Sequence, residues 1–206
     1  MKFLRKANKG ALLFLLAFIV LVVYLAVVAS AQSADQPGLK QGCENYLAMA
    51  QKYSMLPEDY QSGSVLMTVS QQDDYLAQAK NSLTPLFDSG STAALNATVQ
   101  QYKTNLQQLF GGSATVTSNT LTVTQYSDFT YAGDLISVTF SYTVKTTGAT
   151  KGADGSLTPY SFQNGKTGVI TFKKANGNYT IVSVNVYNPV AASRSGGGRA
   201  IQMMGG

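Results

Sequence analysis

Three observations predict an α+β domain behind an N-terminal apolar helix. Residues 11–29 form an uncharged apolar run of 19 residues. Apolar side chains then recur at helical spacing from Cys43 to Phe110, and from Thr115 the period drops to two, the alternation of strands. Helices followed by consecutive strands pack on one face of an antiparallel sheet, which is expected to be curved.

The first ten residues carry Lys2, Arg5, Lys6 and Lys9 and no acid. As a helix, the run at 11–29 rises about 28 Å, close to the roughly 30 Å hydrocarbon core of a bilayer. A basic flank stays cytoplasmic, so a retained helix is a single-pass anchor that sends Ser30 onward to the extracytoplasmic side. The competing reading is a cleaved signal peptide, with Ala29-Ser30-Ala31 as the small-x-small site and Gln32 as the new terminus, which would release a secreted domain. The run exceeds the usual 7–15-residue signal core, which favours retention. A lipoprotein is excluded by spacing, since Cys43 lies fourteen residues beyond the run. A processed pilin fits poorly, because Leu15 stands where a glutamate belongs.

Residues 30–39 read as a short polar linker containing Pro37-Gly38, and 40–188 as the extracytoplasmic domain. Its first helix covers 40–53, with Cys43, Tyr46, Leu47 and Ala50 on one stripe. Residues 54–69 hold an alternating Val65, Met67 and Val69 that suits a short extended piece or a packed loop. A second helix starts at Ser70, with Asp73 completing an approximate capping box, and Pro85 ends or kinks it. A third runs from Thr92 to Phe110 and stops at Gly111-Gly112.

Thr115–Tyr126 alternates as a strand. In 134–146, Ile136, Val138, Phe140, Tyr142 and Val144 form the inward set. Thr147–Leu157 reads as a turn-rich excursion and Thr158–Phe162 as a weak strand. The segments GKTGVITFKK and NYTIVSVNVY, joined at Ala175-Asn176-Gly177, form a hairpin with Val182, Val184 and Val186 facing in. The tail, 189–206, is Gly/Ser-rich and expected to be disordered.

Composition removes several functions. The chain has no histidine and one cysteine. It therefore lacks the commonest general base near neutral pH and the commonest transition-metal ligand, and it cannot form an internal disulfide. His-based triads and His-ligated zinc sites are excluded, and Cys43, without an imidazole partner, reads as a small buried hydrophobe, with intermolecular pairing as the alternative. From Asp35 onward 11 basic and 10 acidic residues nearly cancel, and only Lys173-Lys174 form a basic pair, so no nucleic-acid stripe is present. No phosphate-binding loop occurs, and no cofactor or metal is expected. Asn96-Ala97-Thr98 and Asn178-Tyr179-Thr180 match the glycosylation sequon, a pattern short enough to arise by chance.

The helical segment 70–110, the stretch LTVTQYSDFTYAGDLISVTFSYTV and the closing pair GVITFKKANGNYTIVSVNVY resemble the plan of nuclear transport factor two and its relatives, the cystatin-like fold. A domain of that fold behind one anchor resembles the assembly components of bacterial type IV secretion and conjugation machines. The resemblance implies a non-enzymatic binding or assembly module whose partners are membrane-surface proteins or copies of itself. It also implies an alternative, because cystatin-like domains that resemble ketosteroid isomerase or scytalone dehydratase carry a catalytic cavity. In this chain a small-molecule-binding or lyase-like cavity would use Tyr142 with Asp128 or Asp134, a phenol donor beside a tuned carboxylate. Tyr142 shares the phase of Val138 and Phe140, however, and Asp128 and Asp134 flank a turn, so the bottom-up reading gives all three structural roles.

Overall fold

The computed structural model describes residues 9–61, 66–110, 114–152 and 154–186. The chain divides into two compact units, Met1–Gly38 and Leu39–Gly206. Helix α1, Lys9–Tyr53, contributes its first part to one unit and Leu39–Tyr53 to the other. In the first unit, side chains from Leu13 to Val27 are exposed to at least half their surface almost throughout. That helix is long and apolar enough to cross a membrane. The segment read as a linker, 30–39, is helical, with Pro37 inside α1. Ala29, Ala31, Gln32, Ala34 and Gln36 favour helix, and one proline, at a cost of about 3 kcal/mol, does not stop a helix supported on both sides.

In the second unit the helices bury one face. Leu39, Cys43, Tyr46, Leu47 and Tyr53 of α1 enter the core. Gly42 lets this helix approach closely, since a Cβ there would lie 2.7 Å from Cε1 of the buried Phe172 ring. A 3-10 turn at Glu58–Tyr60 follows. The second helix, α2, spans Val69–Leu83, and its N-cap lies two residues before the expected one. Thr68 is the N-cap: its hydroxyl accepts the Gln71 amide at 3.3 Å, and the Gln71 side chain accepts the Thr68 amide at 2.8 Å. Gln71, not Asp73, therefore completes the capping box, because the box needs a partner three residues after the cap. Met67 is buried, but Val69 is exposed at the first helical position, so the extended alternation expected at 65–69 does not continue past Thr68; Val65 lies outside the described residues. Pro85 sits in the 3-10 turn that ends α2. The third helix, α3, covers Thr92–Phe110, the expected limits, while Gly111-Gly112 lie outside the described residues.

Four strands follow as an antiparallel meander: β1, Ala114–Ala132; β2, Leu135–Lys151; β3, Leu157–Ala175; and β4, Asn178–Asn185, in the order β1-β2-β3-β4. Ile136, Val138, Phe140, Tyr142 and Val144 are all buried, as their alternation predicts. Each such side chain contributes about 1.5–3 kcal/mol by leaving water. Three expectations needed correction. The stretch read as turn-rich, 147–157, is strand as far as Lys151, held by pairs such as Gly148↔Tyr160. The two strands read at 158–162 and 165–174 are one, β3. Finally, a register shift at Thr171/Phe172 places Ile181, not Val182, opposite Phe172 and in the core, whereas Val184 and Val186 do pack inward. A bulge advances the side-chain phase by one residue. The β3–β4 turn is the expected one, with φ of 53° at Asn176 and 80° at Gly177.

Candidate interaction surface

The three residues of the cavity alternative do not converge. Tyr142 is fully buried and its ring lies 5.7 Å from that of Phe140, within the core. Asp128 pairs with Thr139, on the opposite phase of β2 from Tyr142, and so belongs to the other face of the sheet. It is exposed and accepts the Thr130 hydroxyl at 2.7 Å. Asp134 is exposed at the β1–β2 turn, eight positions before Tyr142, about 26 Å along a strand. Among the described residues no group of three or more His, Cys, Asp or Glu side chains could hold a metal ion.

The buried polar groups act as fasteners. Asn119 of β1 donates to the Ser54 hydroxyl at 2.6 Å and accepts from Thr146 of β2 at 2.9 Å, tying the segment after α1 to two strands. The Gln51 side chain accepts the Leu121 amide at 3.0 Å, and the Tyr53 and Ser82 hydroxyls meet at 2.9 Å. Lys40 lies 5.3 Å from the centre of the Tyr126 ring, whose hydroxyl meets the Lys40 carbonyl and the Glu44 carboxylate at 3.2 Å each. Burial pushes the Tyr46 phenol up to about 12, and the Tyr75 and Tyr102 phenols also rise, first because of burial. Such phenols stay protonated near neutral pH and supply no base. Cys43 is likewise pushed up to about 12, by burial and then by the Glu44 carboxylate, which removes it as a thiolate nucleophile.

What remains is surface. The face of the sheet away from the helices carries Ser137, Thr139, Ser141 and Thr143 of β2 beside Thr167 and Thr171 of β3, a hydroxyl-covered plane with little charge. The sheet also has edges of very different character. Register shifts at Val116/Ser118, Val123/Gln125 and Tyr126/Asp128 interrupt β1, and Gln51 occupies one of its amides. Bulged edges resist strand addition. The outer side of β4 is met at Ile181 by a parallel bridge from Phe87, by the Asp88 amide at 2.9 Å, and close by through the Asp88–Lys173 ion pair at 3.4 Å.

The outer side of β3 differs from both. Its pairing with β2 runs without a register shift from Leu135↔Lys173 to Lys151↔Leu157, yet β4 covers it only from Val169 onward. Among the described residues, no strand pairs with 157–168 on that side. The carbonyls of Thr139, Thr147 and Ala149 point toward β1, where Ser127, Thr117 and Thr115 hydroxyls donate to them. Odd-numbered β2 residues thus bond away from β3, and their odd-numbered β3 partners bond outward. Pro159, which has no N–H, occupies one of these outward positions and removes nothing from the β2–β3 ladder. Ser161, Gln163, Gly165 and Thr167 present complete backbone donor and acceptor groups outward.

This end of the sheet is strapped. The Tyr160 hydroxyl crosses β2 to donate to the Thr115 carbonyl of β1 at 3.1 Å, and its ring stacks on Phe162 at 6.2 Å and 10°. Gly148 is required beneath it: a Cβ there would collide with the Thr115 carbonyl and lie 2.6 Å from the Tyr160 hydroxyl. The edge escaped sequence reasoning because splitting β3 into two strands hid its length. The proline at an outward position was the one available signal.

No family model matches the chain, and no curated protein matches it. Among solved structures the chain is similar to a periplasmic fragment of TraM, at 18% identity over 57% of this chain and 83% of that one, with a TM-score of 0.34.

Proposed function

We propose that this chain is a single-pass membrane protein, N-terminus cytoplasmic, whose extracytoplasmic α+β domain is a protein-binding or assembly module and not an enzyme. The observation that carries the reading is the regular outer side of β3, to which no strand pairs over 157–168 among the described residues, in a domain whose Tyr46 and Cys43 are buried and held protonated. Strand edges recognise extended chains through backbone hydrogen bonds, a mode of protein recognition that needs no reactive side chain. The four basic residues before the apolar helix support the orientation. The order of helices and then a meander supports the cystatin-like comparison and, with the anchor, a place in a secretion or conjugation apparatus.

A photo-crosslinking amino acid at Gln163, with Gln125 on the outer face of β1 as control, tests the reading in intact cells of the native host. Discrete adducts at Gln163 with membrane or envelope proteins, or with a second copy of this chain, are expected. Absence of any adduct at Gln163, or the same adducts at both sites, would falsify the module reading.

A further inference from the structure

The chain holds two Asn-Gly pairs, Asn164-Gly165 and Asn176-Gly177, and the fold treats them differently. In such a pair the glycine nitrogen can attack the asparagine side-chain carbonyl, because a residue without Cβ leaves the approach unhindered. We infer that Asn176 is a site of spontaneous covalent modification, converting through a cyclic imide to aspartate and isoaspartate while Asn164 is held back. The only co-reactant is water. The Gly177 N–H gives up its proton, its nitrogen bonds to Cγ of Asn176, and the Cγ–Nδ2 bond breaks as ammonia leaves with that proton. Water then opens the ring at either carbonyl, and the product carries a carboxylate where the amide stood.

The backbone supplies the difference. Ring closure requires the peptide plane between the two residues to turn until the glycine nitrogen faces Cγ. Asn176 and Gly177 are the central residues of the β3–β4 turn, beyond the last ladder pair, Ala175↔Asn178. Both are exposed, and a Cβ at Gly177 would meet nothing within 4 Å among the described residues. Asn164 is exposed as well, so access to water does not separate the two sites. Pairing does. Asn164 faces Val144 at a position that bonds toward β2, so its carbonyl belongs to the β2–β3 ladder. Turning its plane breaks a ladder bond in the middle of the unshifted run from Leu157 to Lys173. The two products also fit the turn differently. Asn176 has a φ of 53°, and aspartate tolerates that left-handed region nearly as well as asparagine. Isoaspartate adds a methylene to the backbone of a two-residue turn whose twist matches its strands, and so loosens the Ala175↔Asn178 pair. Either product lowers the formal net charge of +5 by one and sets an anion two positions from Lys174.

The test follows the full chain in detergent at pH 8 and physiological temperature, sampled over weeks. Trypsin separates the two sites, because cleavage after Lys166 and Lys174 places Asn164 and Asn176 in different peptides. The Asn176 peptide is expected to gain one mass unit and to resolve into aspartate and isoaspartate forms. Fragment masses should assign the gain to Asn176 and not to Asn178, Asn185 or Asn188 of the same peptide. Conversion at Asn176 should outpace that at Asn164 by about tenfold or more, the equivalent of about 1.4 kcal/mol of local opening. In denaturant the ladder is gone, and the two sites should convert at similar rates. An Asn176 that stays intact while the denatured chain converts overturns the inference. Conversion of Asn164 in the native protein at an equal or greater rate overturns it too, since pairing would then protect nothing.

Discussion

Cys43 offers a direct measurement of how well the core is closed. It is fully buried in α1, and burial followed by the Glu44 carboxylate pushes its thiol from 9.0 up to about 12. At pH 8 a thiol at 9 is about 10% thiolate and one at 12 about 0.01%, so ionisation alone slows thiol chemistry about a thousandfold. Access slows it further, because the sulfur meets reagent only when the domain opens, and an opening free energy of even ~5 kcal/mol leaves about one molecule in several thousand exposed. The expected outcome for the full chain in detergent at pH 8 is negligible reaction with an aromatic disulfide reagent over the minutes in which a free thiol is consumed. One equivalent should then react promptly in denaturant. Rapid stoichiometric labelling of the native protein would refute the buried-thiol argument and restore Cys43 as a candidate for intermolecular pairing.

Two further outcomes follow from buried polar groups. Asn105 is 1% exposed and neither polar atom of its side chain has a hydrogen-bond partner among the described residues, so Asn105→Leu, which removes two orphaned groups at similar volume, should stabilise the domain by about 1–2 kcal/mol. A lower melting temperature would show that the amide is satisfied. Tyr46 is raised to about 12, so its folded state favours the neutral phenol; the stability it contributes is whole below pH 10 and is lost as pH rises from 10 toward 12, at about 1.4 kcal/mol per pH unit. Tyr75 and Tyr102 act in the same direction, so circular dichroism should show unfolding above pH 10 together with late tyrosinate absorbance. Complete tyrosine ionisation near pH 10 with the fold intact would contradict this.

The legible parts of the fold were those in which local pattern and tertiary environment agree. Helix α3 covers Thr92–Phe110 as its apolar spacing predicts, and the inward set of β2 was readable because five apolar residues alternate with hydroxyl residues. The errors lie where pairing overrides composition. Thr147–Lys151 has the content of a turn, yet it forms strand because β3 lies alongside with its full backbone ladder. Val182 yielded to Ile181 because a bulge is a property of two strands and cannot be seen in one. The site suffered from the same limit. Asp128, Asp134 and Tyr142 are close in sequence, but strand parity and length place Asp128 on the other face from Tyr142 and Asp134 far along the strand. An uncovered edge is defined by where a neighbour ends, information that no single segment carries.

The crossing of Tyr160 over Gly148 also bears on how quickly and how tightly a guest strand could leave. Ordering a backbone costs roughly 1–2 kcal/mol per residue, and an isolated hairpin end would have to be ordered along with whatever joined it. Here the host ribbon is already stitched from β3 across β2 to β1. An arriving chain therefore has only its own freedom to surrender, about half the entropic cost of bringing two flexible strands together. A glycine with no room for a methyl group and a phenol reaching two strands away thus lower the entropic cost of contacts whose backbone hydrogen bonds neither side chain makes.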